Sequence, residues 1–289
     1  MATPAPANNK TVYAVVPYMR RDERHKHEKP YYLYYQYDFD LPRTNTEVDR
    51  HKMAIHDART LKGTPKDLFD AYGFTMLHCD CDMTQEDYQN SARTRAVLYP
   101  RFKELVKLLF PDAARVEVLE HGVRKRDPAW PRSHRHRHEY TTNQPSEYVH
   151  IDMTSRSAEK NTEKRLGISS SHYRRFVAIN LWKPINGPIT DWPLALCDRR
   201  TLNHAQQAVP MDIVTKEIVN ENARIYHHED HEWWYWSSLQ NDEVLAFMQA
   251  DSDNKDLAGV AHHAFQDTSA HATSQLRESI EARVYAYFD

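Results

Sequence analysis

The chain has 289 residues, of which 40% are hydrophobic and 27% charged, which is enough apolar material for a folded core and argues against wholesale disorder. The net charge of -3 gives no whole-protein argument for binding nucleic acid or an anionic membrane. Three cysteines, with no second pair beside Cys79 and Cys81, argue against a disulfide framework and against a cysteine zinc site. With no signal-peptide core and no apolar run of about 18 residues, the sequence predicts a cytoplasmic protein without a membrane span.

The first elements in chain order are predicted to be short strands. A strand over 11–17 is expected to stop at Pro17. The charged segment at 20–29 is expected to be a solvated loop, and a second, aromatic strand follows over 31–37.

Helices are predicted next. Thr84 has the properties of an N-cap residue, so a helix is expected to begin there and to be interrupted by Pro100. A second amphipathic helix is predicted over 102–110, with Leu108 on its apolar face. A short strand is expected over 114–119, and the basic run at 124–138 is expected to be a polar loop.

Strands are predicted to dominate the second half of the chain, at 148–153, 175–184, 222–227, 232–237 and 277–288. A short helix is expected at 241–248. The last strand alternates clearly, since Ile280 and Val284 are apolar whereas Glu281 and Arg283 are charged. Helices early and strands late predict an α+β protein or a barrel-like β core buttressed by helices. The fold class expected from these elements is mainly β with flanking helices.

A histidine and an aspartate two residues apart form the first candidate site. His150 and Asp152 lie in a predicted apolar strand, where residues i and i+2 point to the same side. Iron sites for oxygen chemistry use two neutral imidazoles and one carboxylate on one face and leave the opposite face open. The same spacing also occurs at 78–80 and 228–230, so the pair by itself is a weak signal among 18 histidines.

Two downstream features strengthen the iron interpretation. His262, followed by His263, supplies a distant second imidazole. Arg277 comes fifteen residues after His262, and Ser279 follows two residues later. A buried dicarboxylate needs a partner for its distal carboxylate, and arginine offers two parallel donors. A hydroxyl two residues further along a strand points to the same side.

The sequence resembles the hydroxylase/desaturase family typified by aspergillic-acid hydroxylase, which includes gibberellin desaturase-like and cephalosporin methoxylase-like proteins. The resemblance is carried by four runs, VHID at 149–152, NLWKPINGPITDWPLALCD at 180–198, AHHAF at 261–265 and RESIEAR at 277–283. It covers the C-terminal half closely, and the N-terminal half more loosely around 116–124.

The resemblance implies a double-stranded β-helix (jelly-roll) core and an oxygenase that uses Fe(II), 2-oxoglutarate and O₂. His150, Asp152 and His262 would be the iron ligands, and Arg277, helped by Ser279, would hold 2-oxoglutarate. The substrate would be a small specialised metabolite, hydroxylated or desaturated after abstraction of a C–H hydrogen.

The same resemblance implies one oxygenase domain over 1–289. Residues 1–145 would form a helical and stranded buttress with loops, and 146–289 most of the core with the metal site. Asn180, on a strand beside the expected core, is a further candidate contact for the cofactor.

The chain departs from the usual family pattern at two positions. Ala261 stands where similar sequences have proline, which leaves the choice between His262 and His263 open. Lys183 stands where they often have arginine. Lysine keeps the positive charge but lacks the two parallel N–H donors of a guanidinium.

Two other interpretations remain open at this stage. The same ligands could serve a zinc hydrolase or another cupin-type enzyme that does not use 2-oxoglutarate. The basic loop at 124–138 could instead belong to a non-catalytic protein that binds anions or nucleic acid, although no recognisable nucleic-acid motif is present.

Overall fold

The computed structural model of this chain describes residues 11–34, 41–130, 143–254, 259–268 and 275–289. Within these ranges the strands are β1 (Val12–Met19), β2 (Tyr31–Leu33), β3 (Val48–Asp57), β4 (Phe74–His78), β5 (Arg115–Lys125), β6 (His150–Ile151), β7 (Arg175–Pro184), β8 (Leu194–Cys197), β9 (Ala208–Val214), β10 (Val219–Ile225), β11 (Trp233–Tyr235), β12 (Glu243–Asp251), β13 (His262–Ala264) and β14 (Glu278–Phe288). The helices are α1 (Pro65–Tyr72), α2 (Ser91–Leu109), α3 (Ser155–Arg165) and α4 (His204–Gln207).

The strands form two sheets. The larger has the order β1-β3-β11-β8-β13-β6-β10-β9-β2, and the smaller has the order β4-β12-β7-β14-β5. Most neighbouring strands are antiparallel, with β2–β9 and β3–β11 as parallel pairs. Strands that are distant in sequence are neighbours in both sheets, which is the connectivity of a two-sheet β-sandwich rather than of simple hairpins.

The two sheets meet where β6 and β13 of the larger sheet face β7 and β14 of the smaller. His150 on β6 is the register partner of His262 on β13, and Asn180 on β7 is the partner of Arg283 on β14. Asp152, just after β6, contacts both Asn180 and Arg283 across the gap. The fold therefore brings four separate segments to one point between the sheets.

The terminal strand confirms the alternation predicted from its sequence. Ile280 and Val284 on β14 are fully buried in the main apolar core, which helix α2 covers. The intervening residues face the other way: Arg283 reaches the gap between the sheets, and Tyr285 packs in a separate cluster with Met153. One face of β14 thus stabilises the core while the other supplies polar groups.

The prediction of two helices separated at Pro100 was wrong, because α2 is one helix through that position. Asn90 caps it by accepting from the backbone N–H groups of Ala92 and Arg93. Pro100 removes one helical hydrogen bond, but its ring lies on the exposed face, where the apolar stripe is not disturbed. Leu108 was expected on the apolar face and is instead 66% exposed.

Two further expectations about strands were corrected. The segment at 241–248 is not a helix, since strand β12 begins at Glu243. All of its residues are buried on both faces, so its side chains show no alternation that would distinguish it from a buried helix. Strand β1 continues through Pro17, because an edge strand tolerates a residue that lacks an N–H.

Helix α2 gives a direct test of the core. Phe102 is fully buried, so Phe102→Ala is expected to lower the free energy of unfolding by about 3–5 kcal/mol, the usual range for deleting a buried aromatic ring. Leu108→Ala on the same helix is expected to change it by no more than about 0.5 kcal/mol. Urea unfolding followed by circular dichroism measures both values, and equal effects of the two substitutions would contradict this packing.

In the described ranges, no helix combines the length and the apolar character needed to cross a lipid bilayer.

Candidate metal centre

Two imidazoles from neighbouring strands face one another. The ring centroids of His150 and His262 lie 4.3 Å apart. His150 Nδ1 donates to the Tyr148 carbonyl oxygen over 2.7 Å, and His262 Nδ1 donates to the Val260 carbonyl oxygen over 3.1 Å. Because a carbonyl oxygen only accepts hydrogen bonds, each neutral ring carries its proton on Nδ1 and presents the Nε2 lone pair to the shared space.

Asp152 completes the cluster. Its Oδ1 is 3.4 Å from His150 Nε2, and its Oδ2 is 3.6 Å from His262 Nε2. One potential ligand atom from each residue lies within 4.8 Å of the others. Two imidazole nitrogens and one carboxylate that converge from one side form the donor set of a facial triad.

The protonation states of His262 and Asp152 suit a metal ion. Burial, reinforced by His150, lowers the pKa of His262 to about 4, so its ring is neutral at pH 7. Burial acts to raise the pKa of Asp152, but the positive charge of the Arg283 guanidinium holds it well below its usual range. A carboxylate and neutral imidazoles are the forms that bind metal without releasing a proton.

Three side chains from the smaller sheet hold Asp152 in place. Arg283 Nη2 lies 3.2 Å from Oδ1, and the Asn180 side-chain amide donates to Oδ2. The Gln249 side-chain oxygen accepts from the Asp152 backbone N–H over 2.8 Å. Both carboxylate oxygens are thereby oriented before any metal binds, as is typical of groups around metal ligands.

The sequence did not identify Arg283 as part of the site, whereas its guanidinium contacts Asp152. Asn180 was expected near the cofactor; the structure places its side chain on Asp152, and the cofactor contact stays a prediction. The alternation of β14 was the signal that could have identified Arg283, because it shares a face with Arg277.

Arg283 is therefore expected to control iron affinity without being a ligand. Arg283→Met keeps much of the side-chain volume but frees one oxygen of Asp152, and we expect Fe(II) affinity to fall about 10–100-fold. Arg165→Met is the matched control, because Arg165 pairs with Glu120, as Arg283 also does, without touching Asp152. Anaerobic titration with Fe(II) measures both, and equal affinities of the two variants would contradict a positioning role.

The structure also distinguishes the two adjacent histidines. His263 is 0% exposed, and its ring packs edge-on against Trp233 at a centroid distance of 4.9 Å. Consecutive residues on a strand point to opposite faces, so only His262 can reach His150 and Asp152. His262, the residue directly after Ala261, is thus the histidine that joins His150 and Asp152.

The other two histidine–aspartate pairs do not form such clusters. The exposed His78 pairs with Asp242, and His228 pairs with its neighbour Asp230. Across the part of the chain that the structure describes, the group at 150, 152 and 262 is the one in which three metal-binding side chains converge.

Arg277 lies in a closely packed environment at the start of the terminal strand. It is 2% exposed, and its Nη1 donates to the Trp192 carbonyl oxygen over 2.6 Å. Its Nε lies 3.3 Å from the Ser279 hydroxyl, and its guanidinium lies 4.8 Å from the centre of the Trp182 ring. The backbone N–H of Arg277 donates to Asp191, whose carboxylate pairs with another arginine.

The charge of Arg277 is not neutralised within the described residues, where no carboxylate forms an ion pair with it. Burial, together with repulsion from Arg124, lowers its pKa to about 9. A buried cation without an anion is unfavourable, so the site fits an anion supplied from outside the chain. Arg277 and Ser279 share the face of β14 that also carries Arg283.

A cavity of about 840 Å³ opens beside His150 and Asp152. Six cationic side chains contribute to its wall, namely Arg43, Arg124, Lys125, Arg165, Arg224 and Arg283. Arg277 and Ser279 are not among the residues that line it. Of the basic loop expected at 124–138, Arg124 and Lys125 belong to β5, and residues 131–138 lie outside the described part of the chain.

Comparison with known proteins agrees with this geometry. Residues 16–287 match the model of the family described as the oxidoreductase/YMDC permease-like domain. An Fe(II)/2-oxoglutarate-dependent dioxygenase of Aspergillus novofumigatus is 27% identical over 82% of this chain and 83% of its own length. A hydroxylase/desaturase of Penicillium oxalicum is 22% identical over 86% of this chain and 83% of its own length.

Solved structures support the expected fold. A variant of an iron and alpha-ketoglutarate-dependent endoperoxidase superposes with a TM-score of 0.81 at 22% identity, covering 98% of this chain and 99% of its own. The jelly-roll core expected from the sequence is thereby confirmed. Because the family model spans nearly the whole chain, this protein belongs to the oxidoreductase/YMDC permease-like family, and its expected relation to the Fe(II)/2-oxoglutarate-dependent hydroxylase/desaturases is confirmed.

Proposed function

We propose that this protein is a non-haem Fe(II)/2-oxoglutarate-dependent oxygenase with His150, Asp152 and His262 as the iron ligands. The observation that carries the proposal is the convergence of their ligand atoms within 4.8 Å, with both imidazoles presenting Nε2. A zinc hydrolase or another cupin-type enzyme could use a similar donor set. The relatives with assigned activities favour the oxygenase.

Within this proposal, each residue of the centre has a defined task. When bound, iron together with 2-oxoglutarate and O₂ would supply the oxidant that removes hydrogen from an unactivated C–H bond. The Tyr148 and Val260 carbonyls fix the imidazole tautomers, and Arg283 and Asn180 fix the carboxylate of Asp152. The chain thus contributes a preformed set of ligands that needs little reorganisation.

Arg277 and Ser279 are proposed to hold the distal carboxylate of 2-oxoglutarate. The support is chemical: Arg277 is a buried guanidinium that no described carboxylate neutralises, and the Ser279 hydroxyl lies beside it. A dicarboxylate would supply the missing negative charge through a charge-assisted hydrogen bond.

The substrate is proposed to be a small specialised metabolite that occupies the cavity beside His150. Its volume of about 840 Å³ falls in the range of small-molecule sites. Hydroxylation and desaturation begin with the same hydrogen abstraction, so the substrate held there decides between them. A single oxygenase domain over 1–289 and a cytoplasmic location are further parts of this proposal.

The proposal predicts turnover of 2-oxoglutarate. The full-length protein, loaded anaerobically with Fe(II) and then exposed to air with 2-oxoglutarate, is expected to form succinate, and candidate metabolites that fit the cavity should accelerate it. Succinate is measured by mass spectrometry, with Asp152→Ala as the control. The proposal would be contradicted if the wild type formed no more succinate than Asp152→Ala does. A Zn(II)-dependent hydrolysis that needs no 2-oxoglutarate would also contradict it.

A further inference from the structure

A second, smaller pocket on the opposite face of the five-stranded sheet contains two free cysteines. It has a volume of about 110 Å³ and is lined by residues that include Cys79, Cys81 and Lys183. Asn180 on β7 faces the candidate metal centre, and Lys183 lies three residues later, so it points to the other side of the strand. This pocket is therefore distinct from the site proposed for iron.

The two thiols are adjacent and unequal. Cys79 is buried and Cys81 is only half-buried, and both residues line the pocket. The Tyr88 hydroxyl lies 3.5 Å from the same Cys81 sulfur. A thiolate at Cys81 would accept a hydrogen bond from this hydroxyl, and Cys81 is the thiol that is more accessible from the pocket.

A buried cation completes the group. Lys183 is 3% exposed, and its ammonium donates to the backbone carbonyls of Pro184 and Asn241. Among the described residues no carboxylate forms an ion pair with Lys183, although Asp80 and Asp242 also line the pocket. A nearby thiolate is the anion that this ammonium lacks.

These contacts separate the acidities of the two thiols. The neighbouring Cys79 thiol is the largest influence on Cys81. With Tyr88 and Lys183 it lowers the pKa of Cys81 to about 6, against the opposing effects of burial and Asp80. The Cys81 thiol and burial raise the pKa of Cys79. An accessible thiolate beside a protonated thiol is the arrangement of redox-active cysteines.

We propose that Cys79 and Cys81 form a peroxide-reactive dithiol, with Cys81 as the attacking thiolate and Cys79 as the resolving thiol. The Cys81 sulfur attacks hydrogen peroxide, the O–O bond breaks, and the sulfur becomes a sulfenic acid while hydroxide leaves and takes up a proton. The Cys79 sulfur then attacks the Cys81 sulfur, the S–O bond breaks, and water leaves. The two thiols lose two electrons and two protons in total, and one hydrogen peroxide becomes two water molecules.

The third cysteine serves as an internal control. Cys197 is fully buried on β8, and burial raises the pKa of its thiol to about 12. Its sulfur lies 3.7 Å from the Thr201 hydroxyl, with no second cysteine nearby among the described residues. It should not react with peroxide in the folded protein.

The first experiment follows the chemistry by mass spectrometry. Full-length protein, treated with a chelator to remove iron, is exposed to hydrogen peroxide and digested without reduction. The wild type is expected to give a Cys79–Cys81 disulfide. In Cys79→Ser, the sulfenic acid on Cys81 is expected to be trapped by dimedone, and in Cys81→Ser no oxidation of Cys79 is expected. Equal labelling of Cys81 and Cys197, or no labelling of either, would overturn the proposal.

The second experiment tests what activates the thiol. Iodoacetamide is expected to alkylate Cys81 at least about tenfold faster than Cys197 at pH 7, because the thiolate is the nucleophile. Lys183→Met should move the pH midpoint of this reaction upward, toward the ordinary value of about 8.5. Tyr88→Phe keeps the ring and should give a smaller shift in the same direction. An unchanged midpoint in both folded variants would contradict the proposed activation.

Discussion

Asp152→Ala is expected to abolish tight Fe(II) binding while leaving the fold largely intact. The substitution removes the only anionic member of the proposed ligand set, so the loss should exceed the roughly 10–100-fold that follows from changes around metal ligands. The fold should survive because Arg283 keeps its ion pair with Glu120 after Asp152 is gone. Anaerobic Fe(II) titration measures the affinity, and circular dichroism reports the fold.

His263→Phe is the matched control for this experiment. His263 is adjacent in sequence to the proposed ligand His262 but points into the packing around Trp233. It should therefore change stability and not iron affinity. Wild-type affinity in Asp152→Ala, or a greater loss of affinity in His263→Phe than in His262→Ala, would show that the ligands are misassigned.

The second large effect is expected at Arg277. If its guanidinium binds the distal carboxylate of 2-oxoglutarate, removing one partner of this buried pair costs about 3–5 kcal/mol. That corresponds to a loss of about two to three orders of magnitude in affinity for Arg277→Met. Fe(II) affinity should barely change, because Arg277 is not a proposed ligand. Titration of 2-oxoglutarate into each iron-loaded protein measures the difference.

The Arg277 guanidinium forms no ion pair with a described carboxylate, and this gives a second measurable effect. In the protein without 2-oxoglutarate, the buried charge is uncompensated, so Arg277→Met should leave the melting temperature unchanged or raise it. In the wild type, 2-oxoglutarate should raise the melting temperature with increasing concentration, and the variant should lose this response. Arg277→Lys should recover part of this rise in melting temperature, since lysine keeps the positive charge but lacks the two parallel N–H donors of arginine. An unchanged response in Arg277→Met would remove Arg277 from the cofactor site.

Two members of the candidate centre could be predicted from sequence, because the spacing of His150 and Asp152 on a strand places both side chains on one face. The choice between His262 and His263 needed the structure, because either could lie on the inward face until the register of β13 with β6 is known.

The environment of the centre could not be predicted in the same way. Arg283, Asn180 and Gln249 lie on three different strands and meet Asp152 only because the two sheets face each other. No spacing in the sequence encodes such a contact. The Trp192 carbonyl beside Arg277 likewise comes from a distant segment.

Errors in the predicted elements have local physical causes. Strand β12 is buried on both faces, so it lacks the alternation that identifies a half-buried strand. Pro100 was expected to end a helix, but its ring lies on the solvent side of α2, and the opposite side of α2 packs in the main core. Helix α1 was missed although its signals are local: Thr64 and Asp67 form a capping box, and Gly73 ends the helix with a φ of 85°.

The most direct test of the iron and 2-oxoglutarate assignment is the absorption spectrum of the full-length protein under anaerobic conditions. Addition of 2-oxoglutarate to the Fe(II)-loaded wild type is expected to produce a metal-to-ligand charge-transfer band, because the cosubstrate would chelate the metal. The band should be absent in Asp152→Ala, require much more 2-oxoglutarate in Arg277→Met, and persist in His263→Phe. A wild-type protein that binds Fe(II) but gives no band at saturating 2-oxoglutarate, or a band that survives in Asp152→Ala, would contradict the proposed centre.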